Sequence, residues 1–379
     1  MHFFFCSLLI FYFYWVPTSH ASSAIVLEVS AEHSLEVGGN WAIPIRHREQ
    51  WWLGLGQASD FWVAPLRSSG FGVWQAEISL IKQLTTHGGL RDHSFRQCPN
   101  GDYLHVSGGA VGSDNIVYLY NSLFEPITQM RFTQEELAHA TNDIQVLCGE
   151  YFRGFAAAES AGMRDYFVQL ENPLIVQDIV EIPQSPRMTG AGLLEDGTRL
   201  LTVGVDPGPG LAVTAYNQQM EAQGRWEIPP ASQGIVHYWP SRFMKIGSYY
   251  LIATMGKDPN EPWQFDFGDL YLLILNSGFS VVEWQQISHN DPVSGGGMRP
   301  WFDVDLETGQ MLLGYDAINT LYLYELSLNM DVLLPPSPTA EPASESETET
   351  PTNAKVDGCG GLLFLPMVLL RRPRQRDNF

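Results

Sequence analysis

The sequence predicts an all-β fold: a β-propeller, most simply of six four-stranded blades, with seven as the alternative. Three observations carry this. The segments IVYLYN, DYFVQLEN, LAVTAYN, DLYLLILN and TLYLYEL repeat one pattern, and four of them end in Asn, at 121, 172, 217 and 276. Four strands recurring every 40–50 residues or so mark a propeller. Asn100-Gly101 and Asp196-Gly197 sit between extended runs, a strong hairpin signal. Helical periodicity is nearly absent; TQEELAH at 133–139 would be a turn or two in an inter-blade loop. A pair of β-sandwiches would make the repeat spacing a coincidence.

The elements follow in order. Residues 25–37 alternate apolar and polar, as a half-buried strand or hairpin does. Paired with the last repeat, they would close the ring and remove its open edges. Repeat one runs over 40–84, with WAIPIRH, QWWLGLG, DFWVAPL and VWQAEISL as strands. Repeat two covers 92–132 and is the cleanest copy. Repeat three begins near Thr141 (DIQVLCGEYFRGFAAAES, DYFVQLEN, IVQDIVEI) and repeat four near Met188 (GAGLLEDGTRLLTVGV, LAVTAYNQQM, GRWEIP). Repeat five starts near His237 (SRFMKIGSYYLIATMG, DLYLLILN, VVEWQQIS) and repeat six near Met298 (WFDVDLETGQMLLGYD, TLYLYELSLNM).

The two ends read differently. Residues 1–21 are an apolar run with a small-residue exit at Ser19-His20-Ala21, the pattern of a signal peptide cleaved near Ala21. An uncleaved anchor is the other reading, but the run is short for a span of about 20 residues. Residues 335–356 are rich in Pro, Ser, Thr and Glu and lack aromatics, so they predict an extended, disordered stalk. Residues 357–379 hold Gly358-Cys359-Gly360, an apolar stretch over 362–370, and then Arg371, Arg372, Arg374 and Arg376. This order of Cys-Gly motif, apolar segment and basic end resembles the MYXO-CTERM class of sorting tails. The resemblance covers about 20 residues. It implies export, processing near Cys359 by a membrane protease, membrane association through the tail, and retention at the cell surface. Secretion or a periplasmic location is the alternative. The expected organisation is therefore signal peptide 1–21, propeller 22–334, stalk 335–356 and tail 357–379.

Charge and cysteine usage narrow the class. The formal net charge is −21, and the one basic run is at the extreme C-terminus. Nucleic acid is thereby excluded as a partner, since phosphate contacts need Lys and Arg patches. Nothing points to an oligomer, so a monomer is expected. Cys6 falls in the leader and Cys359 in the tail, which leaves Cys98 and Cys148 at similar places in neighbouring repeats. An exported chain meets an oxidising compartment. The pair either forms an inter-blade disulfide, if its Cα atoms lie within about 7 Å, or remains two buried thiols.

Propeller ligand sites usually lie where the chain runs into each innermost strand. Here those positions hold Trp41, Asp92, His93, Asn142, Asp143, His237, Tyr238, Trp239, Arg299 and Trp301, with Asn40, Met188 and Thr189 beside them. Aromatic faces with amide and carboxylate partners suit a sugar, whose ring stacks while its hydroxyls take directed hydrogen bonds. Each also has a plainer reading: Asp92 and Asp143 as turn caps, His93 and His237 as structural histidines, Trp239 and Trp301 as inter-blade packing. The loop at 258–269 carries four carboxylates, oxygen ligands of the kind Ca²⁺ takes, but it matches no Ca²⁺ loop template, so no cofactor is assigned.

No nucleophile elbow, zinc-protease motif or phosphate-binding glycine loop is present. The favoured function is a surface-displayed binding module for a glycan, peptide or protein. The alternative is a glycoside hydrolase or lyase. Arg91-Asp92-His93-Ser94-Phe95 followed by Gly101-Asp102-Tyr103-Leu104 resembles five-bladed glycosidases, and that resemblance would make Asp92 and Asp143 the catalytic carboxylates.

Overall fold

The computed structural model describes residues 24–29, 33–35, 41–57, 60–68, 74–77, 82–85, 91–109, 115–132, 141–150, 153–159, 165–171, 174–182, 188–194, 196–204, 211–229, 236–257, 269–288, 298–317 and 320–334. All of these lie within the unit Met1–Pro335. The leader, the stalk, the tail with Gly358, Cys359 and Gly360, and the helical candidate at 133–139 lie outside the described residues.

Two short strands come first, β1 (Val26–Val29) and β2 (His33–Leu35). Blade one holds β3 (Trp41–His47), β4 (Gln50–Gln57) and β5 (Asp60–Ser68). Its fourth strand is split: β6 (Trp74–Ala76) pairs the end of β5 and β7 (Lys82–Thr85) pairs its start. Blade two is β8 (Arg91–Gln97), β9 (Tyr103–Gly109), β10 (Asn115–Tyr120) and β11 (Pro126–Phe132). Blade three is β12 (Thr141–Cys148), β13 (Arg153–Glu159), β14 (Asp165–Glu171) and β15 (Ile175–Ile182). Blade four is β16 (Met188–Leu193), β17 (Arg199–Gly204), β18 (Leu211–Tyr216) and β19 (Ala222–Ile228). Blade five is β20 (Val236–Ile246), β21 (Tyr249–Lys257), β22 (Asp269–Leu275) and β23 (Val281–Gln286). Blade six is β24 (Met298–Val304), β25 (Gln310–Ala317) and β26 (Thr320–Leu328), followed by the short helix α1 (Met330–Leu333).

Each blade is an antiparallel meander, and the innermost strands β3, β8, β12, β16, β20 and β24 neighbour one another around a closed ring. The expected six-bladed propeller is what the chain forms. The third strands NIVYLY and LAVTAY are buried along their length, because a blade packs on each face. The fourth strands PITQMRF and AQGRWEI instead alternate towards their ends, with solvent on one side. Among the described residues the core is six apolar clusters, one in each wedge between neighbouring blades.

The N-terminal strand closes the ring. β1 and β2 both pair antiparallel with β26, so the start of the chain supplies the outer strand of the last blade. The N–H groups of Ile25 and Val26 donate to the two carboxylate oxygens of Glu283 in blade five, at 2.6 and 2.9 Å. Ile25 is 3% exposed and sits in the wedge between blades five and six. Across the seam between blades six and one, Trp51 donates to Gln310 (2.7 Å) and Trp74 to Glu325 (2.9 Å). There Gly314 of β25 lies so close to Ala42 that an added Cβ would come within 2.4 Å of the Ala42 carbonyl oxygen.

Repeat chemistry is visible in the turns. Gly101 (φ +87°) and Gly197 (φ +82°) end tight turns in which their N–H groups bond Cys98 O and Leu194 O. Both hairpins are therefore three-residue loops closed by a left-handed glycine rather than two-residue turns. Asn121, Asn217 and Asn276 follow the third strand, and each side-chain carbonyl accepts N–H groups two and four residues on. That is the local reason for the recurring Asn. One residue in each turn, Phe124, Met220 or Phe279, adopts φ near +60° and is buried in a wedge. Phe124 packs on Tyr103 and Trp52, and Phe279 on Tyr250 and Trp226.

Candidate functional site: two mouths of one channel

The six innermost strands surround a central axis, whose two ends are the two mouths of the ring. We call the mouth at their N-terminal ends the upper one and that at their C-terminal ends the lower one. The sequence-derived candidates stand along the upper ends of β3, β8, β12, β20 and β24. The side chains of Trp41, Asp92, Asn142, Asp143, His237, Tyr238, Trp239 and Arg299 lie outside the described residues, as does the acidic loop at 258–268. The last carboxylate of that loop, Asp269, accepts hydrogen bonds from Gln286 (2.8 Å) and Ser288 (3.5 Å) in its own blade.

Backbone register sets this mouth apart. Four of the six innermost strands carry an irregularity near their upper ends. Asn142 faces Ala158 but Gln145 faces Ala156, and Met188 faces Val203 but Gly190 faces Thr202. Tyr238 faces Met255 but Arg242 faces Ala253, and Met298 faces Asp316 but Trp301 faces Gly314. Each inserts one extra residue into the inner strand, except that β20 gains two. Such bulges turn side chains out of the regular pleat and are over-represented beside functional sites.

Two candidates belong to the core instead. Trp301 is 3% exposed and packs in the wedge between blades one and two, with Ile43, Phe61 and Phe95. Its ring offers no free face to a ligand, so it is inter-blade packing. His93 is 1% exposed; its Nδ1 lies 3.1 Å from Nε2 of His105, and both rings lie against Phe61. His93 is a structural histidine. Beside it, buried Ser94 accepts the Val146 N–H (2.9 Å) and so ties β8 to β12.

The lower mouth holds chemistry that sequence order conceals. A cavity of about 670 Å³ opens there, lined by the ends of all six innermost strands. Three arginines line it: Arg46 from blade one, Arg96 from blade two and Arg242 from blade five, with Arg96 and Arg242 close enough to repel. Lys245 stands at its rim and Asp303 of blade six lies among the arginines. Asp303 accepts from Arg242 Nη1 (3.2 Å) and from the Arg46 backbone N–H (2.7 Å). Arg46 Nη2 pairs with Asp305 at 2.8 Å, and Arg242 also donates to the Phe302 carbonyl. Burial works against the Asp305 carboxylate, but the Glu307 N–H, the Thr308 hydroxyl and Arg46 hold it below the usual range. Arg46 lies over the Trp51 ring and Arg242 over Phe302. The basic run at the C-terminus is therefore not the chain's one concentration of positive charge. Residues far apart in sequence build a second, and the signal was an Arg set among apolar residues late in an inner strand, as in IPIRH and SFRQ.

The disulfide joins Cys98 and Cys148 beside this mouth, with Cα atoms 5.1 Å apart. It links the lower ends of neighbouring inner strands, and Cys148 lines the cavity. Of the two readings left open for these cysteines, the bridge is the one formed. An ion pair between Asp102 and Arg153 (3.1 Å) joins the same two blades nearby.

No family model matches the chain, and no curated protein matches it. Among solved structures, it is similar to a protein of unknown function from Bacteroides caccae (12% identity, 68% of this chain and 81% of the other, TM-score 0.43). It is also similar to the hydrazine synthase of Kuenenia stuttgartiensis (9% identity, 74% of each chain, TM-score 0.48). A third is a DUF4623 family protein from Bacteroides eggerthii (10% identity, 77% and 72%, TM-score 0.48). At these levels the likeness assigns no activity.

Proposed function

We propose that this chain is an exported, cell-surface-displayed propeller that binds a glycan, peptide or protein at its upper mouth. The observation that carries the reading is the run of register irregularities at the upper ends of β12, β16, β20 and β24. Regular inner strands would point alternate residues into the channel. Bulges interrupt that alternation, and these fall along the backbone that carries Asn142, Asp143, His237, Tyr238, Trp239 and Arg299.

Other features support the setting. A disulfide between blades suits an oxidising compartment. The leader, the stalk and the Gly358-Cys359-Gly360 tail fit export, tail processing and membrane association, with the stalk holding a monomeric head off the surface.

A polysaccharide array probed with the purified protein, with reducing-end release assayed in the same wells, tests the reading. The expected result is binding without product. Product release that disappears in Asp92→Asn or Asp143→Asn would replace it with the glycoside hydrolase alternative.

A further inference from the structure

The lower cavity has an uncompensated charge. Its described lining carries four cationic side chains, Arg46, Arg96, Arg242 and Lys245, against one carboxylate, Asp303, with Asp305 behind Arg46. Arg96 makes no hydrogen bond or ion pair with any described residue, although it stands beside Arg242 and Asp303. The Nε–H groups of Arg46 and Arg242 are also buried without a partner. Burial of a guanidinium is tolerated when its donors are matched, and unmatched donors in a closed ring carry a large desolvation cost.

We propose that the lower mouth is a binding site for a small oxyanion, a carboxylate- or phosphate-bearing molecule of sugar size, recognised by Arg96 with Arg242 and Arg46 beside it. A planar guanidinium meets a carboxylate or phosphate through two parallel N–H···O bonds, a match that a halide or a neutral hydroxyl does not offer. A cavity of about 670 Å³ lies within the usual size of small-molecule sites, roughly 300–1,000 Å³. The overall charge of −21 does not oppose this, because a cleft lined by one sign of charge focuses its own local field. Burial, and then the like charge of Arg242, pull the Arg96 guanidinium down to about 9, with Asp303 opposing. A bound oxyanion would offset both effects. The site is at the opposite end of the channel from the upper mouth and does not depend on glycan binding there.

Thermal melts of the intact protein in phosphate-free buffer test the proposal, with inorganic phosphate, D-glucuronate or glucose added. Phosphate or glucuronate at about 100 times its dissociation constant is expected to raise the melting temperature by about 3 °C or more, while glucose leaves it unchanged. A shift with phosphate alone assigns a phosphate-bearing ligand, and one with glucuronate alone a carboxylate-bearing ligand. Arg96→Gln is expected to abolish the shift and, without ligand, to melt at or above the wild-type temperature, because a half-buried charge that repels Arg242 is gone. Arg96→Lys keeps the charge but loses the fork, and is expected to weaken oxyanion binding about tenfold. No shift with either oxyanion, an equal shift in Arg96→Gln, or unchanged affinity in Arg96→Lys would overturn the proposal. A lower ligand-free melting temperature in Arg96→Gln with the anion shift intact would make Arg96 structural and overturn it too. A silent polysaccharide array leaves these outcomes untouched, so the two readings fail separately.

Discussion

A chain shortened to begin at residue 36 loses cooperative unfolding and self-associates. The removed segment contains β1 and β2, both partners of β26. Without them blade six keeps three strands and β26 shows a long open edge, a template for pairing with another chain. Glu283 loses the two backbone N–H groups that meet its carboxylate, and Asn329 loses the Ile25 carbonyl that its own N–H reaches at 2.8 Å. Burial of Ile25 is worth about 1.5–3 kcal/mol, and each hydrogen bond to the carboxylate about 1.5–3 kcal/mol. Together they give about 5 kcal/mol or more, the size of many domains' whole net stability. Size-exclusion chromatography and urea melts of the full and shortened proteins decide it. A monomeric shortened protein with an unchanged urea midpoint would show that the ring closes without its strap.

Reduction of Cys98–Cys148 is the second large effect. The bridge spans 50 residues of sequence, and the chain-entropy model gives such a loop about 4 kcal/mol of stabilisation. The apolar wedge between blades two and three and the Asp102–Arg153 pair survive reduction. The reduced protein is therefore expected to keep its far-UV spectrum at low denaturant and unfold at a clearly lower urea concentration. Coincident melts of the oxidised and reduced forms, with free thiols confirmed, would remove the bridge from the account of stability.

How much of this was legible in sequence depends on the range of the cause. Asn100-Gly101 and Asp196-Gly197 announce hairpins because the left-handed residue is chosen locally. The third strands are legible because burial on both faces demands unbroken apolar runs. The closing role of residues 25–37 is legible because a ring needs its edge covered. What is set across the ring is not. The split fourth strand of blade one has no mark in VWQAEISL. His93 and Trp301 look like candidates until the wedge between blades one and two is seen to bury them. Arg46, Arg96 and Arg242 read as isolated charges until ring closure brings their strands to one mouth.

Whether ligand is held at the upper mouth, as proposed, is decided by calorimetric titration of the array's tightest glycan into three proteins: wild type, Trp239→Ala and Trp284→Ala. Trp239 belongs to inner strand β20, while Trp284 lies on outer strand β23 and is 39% exposed. Trp239→Ala is expected to lose affinity about tenfold or more, the scale of losing one aromatic anchor, with Trp284→Ala unchanged. Full affinity in Trp239→Ala together with loss in Trp284→Ala would move the site to the outer wall of blade five and contradict the proposal.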